Sequence, residues 1–172
     1  MRILLLSLIF LAGVVNSPAQ IPDAAKNLKQ QAEKAGASMV HGDYKVLAKY
    51  TYPAIVKMMG GAENMAATVK KLMENMTAQG VSFEDVTFGE PTRIIKNGNE
   101  LQSTIAQHLK MKMKENKLIN TSTLIAISTD NGANWTFIDT SNKDMAAIKK
   151  ILPNLSPSIT IPPAQPPVRV SN

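Results

Sequence analysis

The spacing of apolar residues changes at Gly80, and that change limits what this chain can build. Before it, apolar side chains recur at helical intervals; after it, they alternate. An alternating segment presents one apolar face and cannot serve as an amphipathic helix. Helices first and strands second give an α+β layout, with the helices packed on one face of an antiparallel sheet.

The helical half has clear boundaries. Asp23 to Val40 reads as a helix with Pro22-Asp23 as its start, and Ala25, Leu28, Ala32, Ala35 and Met39 fall at helical spacing. His41-Gly42-Asp43 breaks it, and Asp43 can cap a short second helix through Tyr50 with Tyr44, Leu47 and Ala48 inward. Tyr52-Pro53 ends that helix, and the apolar run Ala54 to Met59 reads as a short strand. Gly60-Gly61 opens a third helix over Ala62 to Gln79 with the stripe Met65, Val69, Leu72, Met73 and Met76.

The alternating half reads as a four-strand meander. Val81 to Lys96 is extended with a bend at Gly89-Glu90-Pro91, and Asn97-Gly98 is a two-residue hairpin signal. Asn99 to Lys114 returns, Glu115-Asn116 turns, Lys117 to Thr129 follows, and Asp130-Asn131-Gly132 leads into Asn134 to Thr140. Asn142 to Leu152 is a short last helix. Residues 153–172 hold six of the ten prolines and are expected to lie extended or disordered outside the domain, which spans 20–152.

Residues 1–19 carry the marks of a secretory signal. Arg2 precedes an uncharged apolar run from Ile3 to Val15, and Ser17-Pro18-Ala19 places cleavage after Ala19. The run is too short for a membrane span, which needs about 20 apolar residues. The expected location is therefore secreted or periplasmic. The chain has no cysteine, so the exported domain must be held by packing alone. A formal charge of +6, dominated by lysine, permits weak attraction to anionic glycan or lipid. Export, and the lack of any basic cluster interleaved with aromatics, argue against nucleic acid.

The order helix, short helix, short strand, helix, meander resembles the nuclear transport factor two-like superfamily, which includes ketosteroid isomerases and SnoaL-like cyclases. Gly42-Asp43-Tyr44 at the second helix, and Tyr52-Pro53 through Gly60-Gly61, carry the resemblance over Asp23 to Ser141. It implies a cone-shaped curved sheet with helices on its concave face, an open pocket, and a homodimer through the sheet. The pocket residues it suggests are Tyr44, Tyr52, Met58, Gln107 and Trp135.

Two strand features bear on chemistry. Ser128-Thr129-Asp130-Asn131-Gly132-Ala133-Asn134-Trp135 matches the Asp-box pattern Ser-x-Asp-x-Gly-x-x-Trp, whose physics is that of a braced hairpin turn. One copy does not make a propeller. In the second long strand, Ile105, Gln107, Leu109, Met111 and Met113 share one face, and Ala106, His108, Lys110, Lys112 and Lys114 share the other. The apolar set must face the helices, which sends Gln107 toward the pocket and His108 outward. His41 and His108 have no spacing that suggests a metal, and no cofactor motif is present.

Catalytic machinery of the isomerase type does not carry over. The first helix has no tyrosine, and Gln107 stands where an acid is wanted. The leading expectation is an exported, non-catalytic domain that binds a small apolar ligand or a partner protein. The alternatives are a lyase or isomerase using Tyr52, Gln107 or His108 on a small hydrophobic substrate, and anionic glycan binding on Lys110, Lys112 and Lys114.

Overall fold

A computed structural model describes residues 23–114 and 116–170. The export signal, with its cleavage point after Ala19, lies outside the described residues. Among the described residues, five helices and six strands follow one another as α1 (Ala24–Val40), α2 (Tyr44–Tyr50), α3 (Pro53–Met58), α4 (Ala62–Ala78), β1 (Val81–Phe88), β2 (Ile95–Asn97), β3 (Glu100–Met113), β4 (Asn116–Ser128), β5 (Thr136–Asp139), α5 (Met145–Ile151) and β6 (Val168–Val170). The fold is α+β around one open antiparallel sheet with the order β1-β3-β4-β5; β2 also pairs with β3, and β6 with β4. Among the described residues, no helix is long and apolar enough to cross a membrane.

The meander is present, and its first strand is split where Gly89-Glu90-Pro91 was expected to bend it. β1 and β2 both pair with β3 on either side of that break. The β2–β3 turn is centred one residue later than the sequence signal suggests: Asn97 pairs with Glu100, and only Gly98 of the Asn97-Gly98 pair takes positive φ, at 61°.

One expectation is overturned outright. Ala54 to Met59 is not a strand; Pro53–Met58 forms the short helix α3. Pro53 sits at its first turn, where a fixed φ suits a helix and a missing N–H costs nothing. A six-residue apolar run has no periodicity that separates strand from helix. The backbone pairs with the sheet just before it, where Thr51 forms a single parallel bridge to Phe137 and the Tyr52 N–H donates to the Phe137 carbonyl at 3.0 Å, and Ile55 of α3 packs against the Ile125, Ile127 and Ile138 cluster.

Alternation along β4 and β5 feeds two separate hydrophobic cores. Leu124, Ala126 and Phe137 join Ile105, Trp135 and the inward face of α1 (Ala24, Leu28, Ala32, Ala35). Ile125, Ile127 and Ile138 join Ile148 and Leu152 of the α5 region, with Leu155 and Ile161 packed against them. The sheet therefore carries a layer on each side. Fully burying a side chain of this size contributes about 1.5–3 kcal/mol, so both layers matter to stability.

The proline-rich segment belongs to that second layer. Ile159 and Ser156 are buried, and the Ser156 N–H donates to Gln102 Oε1 at 2.9 Å. Gln102 Nε2 in turn donates to Glu100 Oε2 at 2.9 Å and to the Asn154 carbonyl at 3.2 Å. The chain then returns to the sheet as β6. The segment turns at 153–154 and 157–158 and packs through Leu155, Ser156, Ile159 and Ile161, and residues 162–169 run exposed back to the sheet.

The contact of α1 with β1 depends on Gly36. A Cβ there would lie 2.6 Å from Val86 Cγ1 and 2.9 Å from Phe88 Cε2. Only a residue without a side chain lets the two backbones approach this closely.

The α4 stripe is the least covered apolar face. Met65 is buried, Val69, Met73 and Met76 are half-buried, and Leu72 is 54% exposed. Met113, at the far end of β3, is 41% exposed. Met65, Leu72, Leu109 and Met113 therefore do not meet in one interior. Both cores lie at the near end of the sheet, one under α1 and one under α5.

Candidate functional site

The five pocket residues suggested by the sequence occupy different places. Trp135 is core, at 1% exposure within the α1-side cluster. Tyr44 is half-buried at the start of α2. Tyr52 borders a small depression of about 220 Å³ with Glu100, Asp130 and Asn134, and burial, assisted by Glu100, raises its pKa. Met58 is 74% exposed at the end of α3. Gln107 is half-buried on the helix-facing side of β3, opposite Phe88 on one neighbour and Ser122 on the other. None of the clefts around Tyr44 or Tyr52 includes Met58, Gln107 or Trp135.

Tyr44 is the one of the five that sits in a substantial groove. Two adjoining depressions of about 430 and 670 Å³ run between α2 and α4 and share Gly42, Tyr44 and Lys70. Val46, Ala66, Ala67, Met73 and Thr77 complete the apolar floor, and Glu63, Lys70 and Glu74 stand at its rim. The rim charges are partly paired: Lys45 Nζ lies 2.8 Å from Glu63 Oε2, and Lys70 Nζ lies 3.9 Å from Glu74 Oε1. Leu72 and Val46 add exposed apolar surface on the same two helices. The α4 end of this region adjoins the far end of the sheet, because the Lys114 N–H donates to the Gly80 carbonyl at 3.2 Å.

The Asp-box turn is a closed hydrogen-bond system. Ser128 Oγ donates to Asp130 Oδ1 at 2.8 Å, and the Asn134 N–H donates to the same oxygen at 2.8 Å. Asn134 Nδ2 donates to Asp130 Oδ2 at 2.7 Å. The Gly132 N–H donates to Ser128 Oγ at 2.9 Å, with Gly132 at φ 87°, a conformation that glycine adopts without a Cβ clash. The Asn134 backbone N–H is the largest influence that lowers the Asp130 pKa below its ordinary value, and the side chains of Asn134 and Ser128 add to it. Trp135 Nε1 donates back to the Gly132 carbonyl at 3.1 Å.

Helix α1 holds this turn in place, through residues the sequence reading passed over. Asn27 Nδ2 donates to the carbonyls of Gly132 and Ala133 at 2.6 and 2.8 Å. Gln31 Nε2 donates to the Ala133 carbonyl at 2.9 Å, and Gln31 Oε1 accepts from the Trp135 N–H at 2.9 Å. The available signal was Gln31 itself, a polar residue among Leu28, Ala32 and Ala35 on the inward stripe. A buried polar group needs partners, and this one has them.

His108 points to the face opposite α1, as alternation requires, and its Nδ1 lies 2.9 Å from Thr121 Oγ1. Lys110 on the same face lies 3.8 Å from Glu84 Oε2. That pairing leaves the lysine stripe with less net charge than its sequence suggests. Among the described residues, no group of three His, Asp or Glu side chains is placed to hold a metal ion.

Asp130 and His108, the polar groups singled out in the sequence, and Gln31, which was not, are each engaged by neighbouring protein atoms in bracing the fold. No protein-family model matches this chain, and no curated protein matches it.

Proposed function

We propose that this chain is an exported, non-catalytic binding domain built on the nuclear transport factor two-like plan, a cone-shaped sheet with helices on its concave face. Its groove between α2 and α4, around Tyr44, receives a small apolar ligand or an apolar segment of a partner protein. The observation that carries the reading is the uncovered apolar surface there: Tyr44, Ala66 and Met73 in the groove, with Val46 exposed at its edge. Apolar surface of this kind, rimmed by charge, is the usual mark of an interaction site. His108, a group the lyase or isomerase reading would use, is instead bonded to Thr121, and the Asp130 carboxylate is taken up by Ser128 and Asn134.

Native mass spectrometry of the protein recovered gently from its own host tests this. The expected result is a small-molecule or protein adduct that Tyr44→Ala and Ala67→Glu both remove. A bare chain in the wild-type sample contradicts the proposal.

A further inference from the structure

The second face of the sheet holds a site of a different kind. β5 and β6 both run antiparallel to β4 along the same edge, pairing with Leu124–Ile127 and Lys117–Ile119. They are two pieces of one interrupted edge strand, and the chain between them leaves the sheet as α5 and the proline-rich segment. Asn120, Thr121 and Ser122 face the interruption, a gap of about 10 Å at the usual rise per residue.

Backbone direction alternates along a strand, so the Thr121 groups can be placed. The Thr123 carbonyl accepts from the Thr140 N–H at 3.1 Å, so residues of its parity turn their backbone groups to this edge. The N–H and C=O of Thr121 therefore point into the gap, and among the described residues no backbone group bonds them there. Continuing β6 backward in register would set Pro166 opposite Thr121. Proline has no N–H to donate. The sequence thus stops its own strand where it would otherwise fill the gap.

A cleft of about 800 Å³ opens over these residues. Ala106, Thr121 and Thr123 line it from the sheet, Met145 and Ile148 from α5, and Pro162 and Pro163 from the returning segment. Its charged groups are Lys143 and Asp144, and the Asp144 carboxylate already accepts from the Ala147 N–H at 2.7 Å. Volume and lining suit a compact molecule with an apolar body. An unfilled donor and acceptor on one strand residue suit a ligand with an acceptor and a donor side by side.

We propose that this cleft binds a small neutral amide, such as a lactam or primary carboxamide, through the backbone N–H and C=O of Thr121. The ligand carbonyl accepts from the Thr121 N–H, the ligand N–H donates to the Thr121 carbonyl, and the apolar body packs on Pro162, Pro163 and Ile148. The site is on the opposite side of the sheet from α1 and independent of the Tyr44 groove.

Titration of the isotope-labelled protein followed by amide NMR tests the proposal, with 2-pyrrolidinone as the probe and N-methyl-2-pyrrolidinone as its partner lacking the N–H. The expected result is saturable shifts centred on Thr121 to Thr123, Thr140 and Ser141, with the N-methyl compound at least about tenfold weaker because it leaves the Thr121 carbonyl unpaired. Ala164→Trp, on the exposed outer segment, fills the cleft and abolishes the shifts while the rest of the spectrum stays folded. Equal affinity for the two probes, shifts centred elsewhere, no saturable shift, or shifts that survive Ala164→Trp would overturn it.

Discussion

The two halves of the β3–β4 hairpin are built from one pair of strands yet obey different rules. In the near half, Gln102 to Ile105 and Leu124 to Ser128 are all buried, whichever way their side chains point. In the far half, Lys112, Met113 and Asn116 are exposed and their neighbours only half-buried. The near half carries α1 on one face and α5 with the proline-rich segment on the other. A strand covered on both faces reads as a continuous buried run, and one covered on a single face alternates. Position along the hairpin therefore decides what a substitution costs.

The largest expected effect comes from removing one of the near-half layers. Deleting residues 153–170 strips Leu155 and Ile161 from the second core, removes the buried Ile159, and exposes Ile125, Ile127 and Ile138. Cooperative unfolding in denaturant should be lost. A shortened chain with an unchanged transition would show that the second layer is ornamental.

Single core truncations come next. Trp135→Ala and Ile138→Ala remove fully buried side chains from opposite faces of the near half. Losses of about 3–5 and 2–5 kcal/mol are expected from equilibrium denaturation. Two similar losses would establish two comparable layers, and a negligible loss at Ile138 would leave α1 as the only one. Gly36→Ala probes the α1–β1 approach, where overpacking should cost about 1–3 kcal/mol.

Asp130 gives a smaller effect with a definite sign. Its pKa in the folded chain is depressed by the Asn134 N–H and neighbouring side chains. The stability it contributes is fully present above its unfolded pKa and is lost as pH falls through the lower folded value. Asp130→Asn should therefore flatten the acid limb of the stability profile below pH of about 4, with the discrepancy from wild type closing in strong acid. The lower bound is set by Met113→Lys in the far half and Leu72→Glu on α4, each of which should change stability by no more than about 0.5 kcal/mol in the same denaturation assay, since both side chains are substantially exposed.

The same contrast explains what was legible in the sequence. Period and punctuation located α1, α2, α4 and the meander, because an amphipathic segment announces itself wherever one face is covered. The outward placement of His108 followed from alternation alone. α3 was illegible because Pro53–Met58 is too short to show a period. The second layer was hidden by composition: prolines signal an extended chain but carry no information about what it lies against. The dispersal of Tyr44, Tyr52, Met58, Gln107 and Trp135 was also beyond reach, because it follows from how far α1 and α2 overlap the sheet. The Asp-box turn was readable in its own eight residues, but its anchoring by Asn27 and Gln31 joins positions separated by more than 100 residues.

Native-state hydrogen exchange on β3 and β4 tests the two-layer account most directly. Amides of Ile105 and of Leu124 to Ile127 should exchange only through global unfolding, while those of Lys110 to Met113 and Lys117 to Ile119 exchange through smaller openings. Equal protection along the whole hairpin, or stronger protection at its far end, would contradict the account.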